Sequence, residues 1–348
     1  MQARVELPLQ PWTASEPLPP DYSRMDQLKR PESERKKAPL VSVIIPAYNV
    51  AAFISETLGS VLAQTFSDYE IIVINDGSPD TEALEHALEP YRDRIVYLKQ
   101  ENQGAGAARN AGLRVARGEY VAFLDGDDIW LSQLLHEQVA LIESEPGFDL
   151  VYADAINFGD PFSAGRSSME TNPSSGEVTF EKLLCADCNV VTSAVVARRE
   201  PIMRIGLFDV TFPNSQDFDL WLRLAKDANA RITYQRKVLL KRRVYQGSLA
   251  SDWVKSFEAE LRVLEKVGRR GDLTASERDT LQRTIPRRRA SVEVLKGKRF
   301  LLSGDFAAAS RSFVSANEAA GSWKLRLVLW CLRFAPRLLQ QVYRVRPI

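Results

Sequence analysis

Three carboxylates, Asp125, Asp127 and Asp128, stand directly after the apolar run Tyr120-Val121-Ala122-Phe123-Leu124. Like charges this close disfavour one another's ionisation. A folded chain that keeps them is expected to bring something positive to them. Asp-x-Asp at a strand end suits a hard divalent cation, Mg²⁺ or Mn²⁺, held by Asp125 and Asp127. An EF-hand loop is excluded, because Trp130 and His136 occupy the positions that would need Gly and Glu. Mg²⁺ held by one or two carboxylates usually completes its shell with water and substrate phosphates, so the cluster implies a phosphorylated ligand.

A second stretch, Gln103-Gly104-Ala105-Gly106-Ala107-Ala108-Arg109-Asn110, begins like a dinucleotide fingerprint. Arg109 stands where its third glycine belongs, and the stretch follows the third apolar run rather than the first, which argues against NAD or FAD. Small residues opening a helix with an arginine on its first turns suit a nucleotide base or phosphate. Cys185 and Cys188 have zinc-like spacing, but no second pair completes a site, and His86 and His136 are remote in sequence. The sparse cysteines indicate no disulfide framework and fit a reducing, cytoplasmic compartment.

These residues need elements to hold them. Val41–Ile45, Glu70–Ile74, Arg94–Leu98 and Tyr120–Leu124 read as buried strands. Helices are predicted from about Ser55, over 80–92 and over Ala105–Ala116. The alternation predicts an α/β fold, a mostly parallel sheet flanked by helices. Such sheets bind ligands at the carboxyl ends of their strands. Pro46-Ala47-Tyr48-Asn49, Asn75-Asp76-Gly77-Ser78 and the Asp125 cluster all fall there. Leu150–Asp154 and Ser193–Ala197 read as further strands, and 159–176 as a loop. Gln216–Lys226 is an amphipathic helix, and Leu295–Ala320 a helical hairpin joined at Ser303-Gly304-Asp305.

The formal net charge of +1 conceals an asymmetry. Residues 1–230 carry 20 Lys/Arg and 35 Asp/Glu; residues 231–348 carry 26 and 10. An acidic part can hold a metal, and a basic part suits an anionic surface. Residues 1–39, rich in Pro and charge, read as a disordered lead-in without the apolar core of a signal peptide.

In order, spacing and content, the motifs from Ser42 to Asn49, Ile74 to Ser78, Asn102 to Asn110 and Phe123 to Asp128 resemble those of family 2 glycosyltransferases with the GT-A fold. The likeness covers roughly residues 40–250, leaving 251–348 as a helical C-terminal extension. The resemblance implies that Pro46, Tyr48, Asn49, Asp76, Arg109 and Asp125 bind the nucleotide. Asp125 and Asp127 would bridge the metal, with Asp128 assisting. Ser215 to Arg223 resembles the family's Glu-Asp motif, which makes Asp217 the expected catalytic base and puts Gln216 where Glu is commoner, against the acceptor. Arg242 to Ser248 resembles a loop in which members often carry a metal-ligating histidine. Tyr245 stands there instead and is a poor ligand at neutral pH; Arg243 is left as a diphosphate contact. The implied activity is inverting transfer from a nucleotide-sugar donor to a saccharide or lipid-linked acceptor, in cell-surface polysaccharide or glycolipid synthesis. A nucleotidyltransferase is disfavoured because its first loop is normally Gly-rich and basic, not Pro-Ala-Tyr-Asn. A non-catalytic sugar-nucleotide-binding relative is disfavoured by the retained Asp76, Asp125, Asp127 and Asp217. No motif points to nucleic acid.

Trp323 to Arg346 alternates apolar bulk with Lys324, Arg326, Arg333, Arg337, Arg344 and Arg346, and no Asp or Glu follows Glu318. The segment is too charged to span a bilayer. It predicts a helix lying on an anionic membrane, kinked at Pro336, and so a peripheral attachment to the inner face of the plasma membrane. Docking on the protein's own core is the alternative.

Overall fold

The computed structural model describes residues 38–144, 147–160, 163–245 and 252–345. The expected lead-in over 1–39 therefore lies, up to residue 37, outside the described residues. These fall into two compact units, the first ending with Ala164–Thr179 and Cys188–Arg243, the second formed by Gly159–Ser163, Phe180–Asp187 and the chain from Val244.

In the first unit, strand and helix alternate as β1 (Val41–Ala47), α1 (Ile54–Leu62), β2 (Tyr69–Asp76), α2 (Thr81–Leu88), β3 (Ile95–Gln100), α3 (Ala105–Val115) and β4 (Tyr120–Phe123). There follow β5 (Ile129–Trp130), α4 (Leu134–Ser144), β6 (Phe148–Phe158) and α5 (Ser168–Thr171). After α6 (Phe180–Cys185), which belongs to the second unit, come β7 (Val195–Arg198), α7 (Arg199–Arg204), α8 (Gln216–Asp227) and β8 (Arg231–Arg243).

One mixed sheet runs in the order β3-β2-β1-β4-β7-β6-β8-β5. Its first four strands are parallel, as the alternation requires. Strand β7 runs antiparallel to both β4 and β6, whereas β6 and β8 are parallel to each other. Alternate residues of the central strands take opposite sides. Val41, Val43 and Ile45 join one core cluster with Ile54, Leu58 and Val61 of α1 and Leu84 of α2. Ile44 and Ile74 meet α3 on the other side, and the approach is close: a Cβ on Gly112 would lie 2.6 Å from Ile44 Cγ2. Any larger residue there would push α3, and Arg109 with it, off the sheet.

The second unit is helical: α6, α9 (Trp253–Gly268), α10 (Ala275–Ser303), α11 (Phe306–Ala320), α12 (Trp323–Phe334) and α13 (Pro336–Val345). The predicted hairpin is formed by α10 and α11 about Gly304-Asp305, but α10 starts far earlier than its apolar period suggested. Pro286 lies inside it, in an arginine-rich stretch with no apolar face. Ion pairs hold α9 to α10 there: Arg288 to Glu260 (3.1 Å), Arg289 to Glu265 (2.7 Å) and Lys296 to Glu258 (2.9 Å).

Candidate active site

The polar strand ends of β1, β2 and β4 are neighbours because their strands are. At the end of β1, Asn49 takes a left-handed conformation (φ 54°) and its amide donates to Ser78 Oγ (2.6 Å). Asp80 accepts from the Ala51 amide (2.9 Å) and from Ser78 Oγ. The loops after β1 and β2 are thus tied together, with Tyr48 about half exposed at their rim. Gly77 makes the turn possible: its φ is 61°, and a Cβ would meet the Asn102 amide nitrogen at 2.5 Å.

Asp76 is buried and its carboxylate accepts three hydrogen bonds. Gln100 Nε2 (2.7 Å) and the Gln103 amide (3.0 Å) reach Oδ1, and the Gly104 amide (2.8 Å) reaches Oδ2. One carboxylate therefore fixes the entry to α3 and, through it, the place of Arg109 five residues on.

Arg109 is almost wholly buried, and its Nη2 donates to Asp125 Oδ1 at 2.5 Å. The guanidinium lies over the Phe208 ring, 5.6 Å from its centroid. Asn110 explains why Phe208 is there. Its amide group donates to the Phe208 carbonyl and accepts from the Phe208 amide, both at 2.9 Å. Arg223 holds the preceding residues, donating to the carbonyls of Ile205 (2.9 Å) and Leu207 (2.6 Å) while paired with Asp219 (2.7 Å).

The acidic cluster meets three cations. Asp125 faces Arg109 and is partly exposed. Asp128 is buried, and burial, then the charges of Asp125 and Asp127, push its carboxyl well above the usual carboxylate range. Hydrogen bonds from the Arg243 amide (2.8 Å) and from Ser193 oppose that shift. Arg242 is desolvated, which lowers its pKa, while the charges of Asp128 and Asp125 raise it. Arg243, by contrast, has its guanidinium between Phe53 (4.6 Å) and Phe158 (4.4 Å), donates Nε to the Asp127 carbonyl (2.9 Å) and pairs with Glu56. Both arginines are on β8 itself, opposite Asn157 and Phe158 of β6. Of the loop that was expected to carry Arg243, residues 246–248 lie outside the described residues.

Asp217 sits on the first turn of α8, after Ser215 in a left-handed conformation. Its Oδ2 accepts from Thr192 Oγ1 (2.7 Å) and its Oδ1 from the Phe218 amide (2.8 Å). Gln216 is buried, packed where a Cβ on Gly106 would touch its Cγ at 3.1 Å. Thr192 and Ser193 belong to the turn before β7. Ser193 Oγ accepts from the Asp125 amide (3.2 Å), and its carbonyl from Trp130 Nε1 (2.7 Å). This short turn therefore touches both the acidic cluster and Asp217, although its sequence carries no charge or motif. Asn110, Thr192, Ser193, Phe208 and Arg223 are supports that sequence reasoning missed.

A divalent cation can be tested against this donor set. No three His, Cys, Asp or Glu side chains among the described residues are arranged to hold an ion alone. Two carboxylates at a partly exposed strand end, Asp125 and Asp127, beside a third, buried carboxyl whose ionisation they disfavour, fit an ion whose remaining ligands come from phosphate and water. We expect Asp128→Asn to raise the thermal midpoint in chelator by about 2 °C or more at neutral pH, because it removes a carboxyl whose ionisation burial and its neighbours disfavour in the folded chain but not in the unfolded one. A lower midpoint in differential scanning fluorimetry would mean that the two hydrogen bonds outweigh burial.

The mixed sheet flanked by helices is of the GT-A type. Residues 42–206 match the profile for Glycosyl transferase family 2. Two Escherichia coli relatives, WfgD and WfaP, are UDP-Glc:alpha-D-GlcNAc-diphosphoundecaprenol beta-1,3-glucosyltransferases. WfgD is 32% identical over 65% of this chain and 85% of its own. WfaP is 33% identical over 66% and 87%. An uncharacterised glycosyltransferase of Rickettsia felis is 33% identical over 60% of this chain, which spans only 35% of that relative's length. Among solved structures, residues 1–349 of S. aureus TarS with UDP-GlcNAc share the fold at a TM-score of 0.59 and 21% identity, over 87% of this chain and 91% of that one. PcManGT from Pyrobaculum calidifontis, with GDP-Man and Mn²⁺, does so at 0.58 and 20%, over 88% and 84%. The chain belongs to glycosyltransferase family 2.

Proposed function

We propose that this protein is an inverting, divalent-metal-dependent glycosyltransferase. It moves a sugar from a nucleoside diphosphate to a hydroxyl of a saccharide or lipid-linked acceptor, in cell-surface glycan synthesis at the cytoplasmic face of a membrane. The observation that carries this is the meeting, at one sheet edge, of a rigidly held Asp76, the Arg109–Asp125 pair, two further Asp residues and Asp217, supplied by four separate segments. The match to WfgD and WfaP over most of their length makes UDP-glucose the donor to try first and a lipid diphosphate-linked sugar the acceptor class.

In this reading Pro46, Tyr48, Asn49, Asp76 and Arg109 seat the nucleoside. Asp125 and Asp127 would hold Mg²⁺ or Mn²⁺, which when bound offsets the charge developing on the departing diphosphate. Arg242, whose charge acts on Asp125 and Asp128, joins Arg243 as a candidate for the diphosphate. Asp217 takes the proton of the acceptor hydroxyl as that oxygen bonds to the anomeric carbon and the bond to the diphosphate breaks. One displacement from the opposite face inverts the configuration. Thr192 and the Phe218 amide hold the two carboxylate oxygens of Asp217, and Gln216 lines the acceptor side from beneath.

Titration calorimetry with UDP-glucose, in excess Mn²⁺ and in chelator, tests the donor and metal parts together. Binding is expected to weaken by at least tenfold in chelator, as befits a loss of one or more charge-assisted contacts of about 1.5–3 kcal/mol. Asp127→Ala is expected to bind equally poorly in both. Equal affinity of the parent protein with and without metal would reject the cation site, and absence of both hydrolysis and transfer across a panel of sugar nucleotides would reject the enzyme.

A further inference from the structure

Helices α12 and α13 have two unlike faces. Leu325, Val328, Leu329 and Leu332 of α12, with Leu339 and Tyr343 of α13, pack on Leu301 of α10 and Ala309 and Phe313 of α11. The opposite face is open: Trp323, Leu327, Trp330 and Phe334 on α12 and Leu338 and Val342 on α13 are each more than half exposed. They recur at helical spacing of three and four, so they form one stripe along each helix. Because both helices rest on the same cluster, both stripes point away from it. Docking on the protein's own core, the alternative to a membrane on sequence grounds, is thus realised by one set of residues, while another set on the same helices is left exposed.

A soluble surface rarely leaves such an apolar, tryptophan-bearing patch uncovered without a use. Its cover can be argued from charge. Lys324, Arg326, Arg333 and Arg337 are exposed beside the stripe, and no Asp or Glu follows Glu318. A second protein surface would need a matched acidic frame around an apolar centre, whereas an anionic bilayer offers both over any area. No described helix is long and apolar enough to cross a membrane. Tryptophans favour the boundary between headgroups and acyl chains.

We propose that the outer face of α12 and α13 lies in the plane of an anionic lipid bilayer, with the stripe below the headgroups and the four cations among them. This deepens the proposed placement at a membrane, yet its test does not depend on sugar transfer. It also changes the variant to be used. Truncation before α12 would uncover Leu301 and Phe313, so loss of binding could be loss of fold; outer-face substitutions leave the inner contacts in place.

The test is co-sedimentation of the full chain with vesicles of phosphatidylcholine alone and with one third phosphatidylglycerol, at low and high salt. Binding is expected to the anionic vesicles, to fall with salt, and to shift tryptophan fluorescence to the blue. Trp330→Ser with Phe334→Ser is expected to lose binding with an unchanged melting profile. Neutralising Lys324, Arg326, Arg333 and Arg337 to Gln is expected to weaken partition by several hundredfold, on the order of 10³, from about fivefold per cation. Equal binding to neutral vesicles, or by the double variant, would overturn the proposal. So would a stable dimer of the parent protein, broken by the double variant and indifferent to vesicles, which would assign the face to a second copy of the chain.

Discussion

Asp217→Asn is expected to lower sugar transfer by roughly 10²–10⁴-fold, the usual span for a general base, while leaving nucleotide-sugar affinity unchanged. The change is nearly isosteric. The Asn oxygen can still accept from the Phe218 amide, which reaches Asp217 Oδ1 at 2.8 Å, and the Thr192 hydroxyl, now 2.7 Å from Oδ2, can turn to accept instead of donate. The start of α8 should therefore survive, and with it the packing of Gln216 against α3. What is lost is the only function the reading gives this carboxylate, removal of the acceptor proton. Donor hydrolysis with water, compared with transfer to acceptor, sharpens the result. A variant with full transfer would remove Asp217 from the mechanism; one that also fails to bind donor would show that α8 had moved.

The candidate site was legible in the sequence wherever its residues end a buried strand. Ile44-Ile45-Pro46, Ile74-Asn75-Asp76 and Phe123-Leu124-Asp125 announce both the strand and the edge, since a fully buried parallel strand must be a continuous apolar run and its ligand-facing end cannot be. The supports were not legible, because they are non-local. Asn110 reaches Phe208 across 98 positions and Arg243 reaches Asp127 across 116. Nothing in a window of either segment reports the other. Strand β8 was hidden differently. Arg231 to Arg243 has six Arg or Lys in 13 residues and only three buried ones, Ile232 near its start and Leu239 and Leu240 near its end. A strand with one exposed side and long cationic side chains has neither a continuous apolar run nor a clean alternation, so its last residues passed for loop. The consequence is chemical. On a strand, Arg242 and Arg243 alternate in direction, and they meet the acidic cluster differently: Arg242 bonds to Asn157 and feels the charges of Asp128 and Asp125, while Arg243 is stacked between Phe53 and Phe158 and donates to the Asp127 carbonyl.

Asp76→Asn is expected to damage the protein before any nucleotide is added. The motif resemblance alone implies that this carboxylate contacts the nucleotide. Its hydrogen bonds give it an earlier duty: both oxygens are already accepting, Oδ1 from Gln100 and the Gln103 amide, Oδ2 from the Gly104 amide. An Asn side chain has one acceptor oxygen and one donor nitrogen. If the oxygen keeps Gln100 and Gln103, the nitrogen points a hydrogen at the Gly104 amide; if it is flipped, two donors are opposed instead of one. Either way at least one charge-assisted bond to the backbone is lost in a buried place, about 1.5–3 kcal/mol. The thermal midpoint of the ligand-free protein should fall by about 3 °C or more. Gly104 is the residue on which α3 begins, so its release loosens the first turns that carry Arg109. Donor affinity should then fall by at least tenfold, through the loss of a placed arginine as well as of the carboxylate. The two measurements separate the roles. Unchanged stability with lost donor binding would reduce Asp76 to a base contact, and unchanged donor binding with lower stability would leave it a structural clasp. Only a fall in both, with Arg109→Lys weakening donor binding at unaltered Asp76, matches a carboxylate that builds the nucleotide seat and is itself part of it.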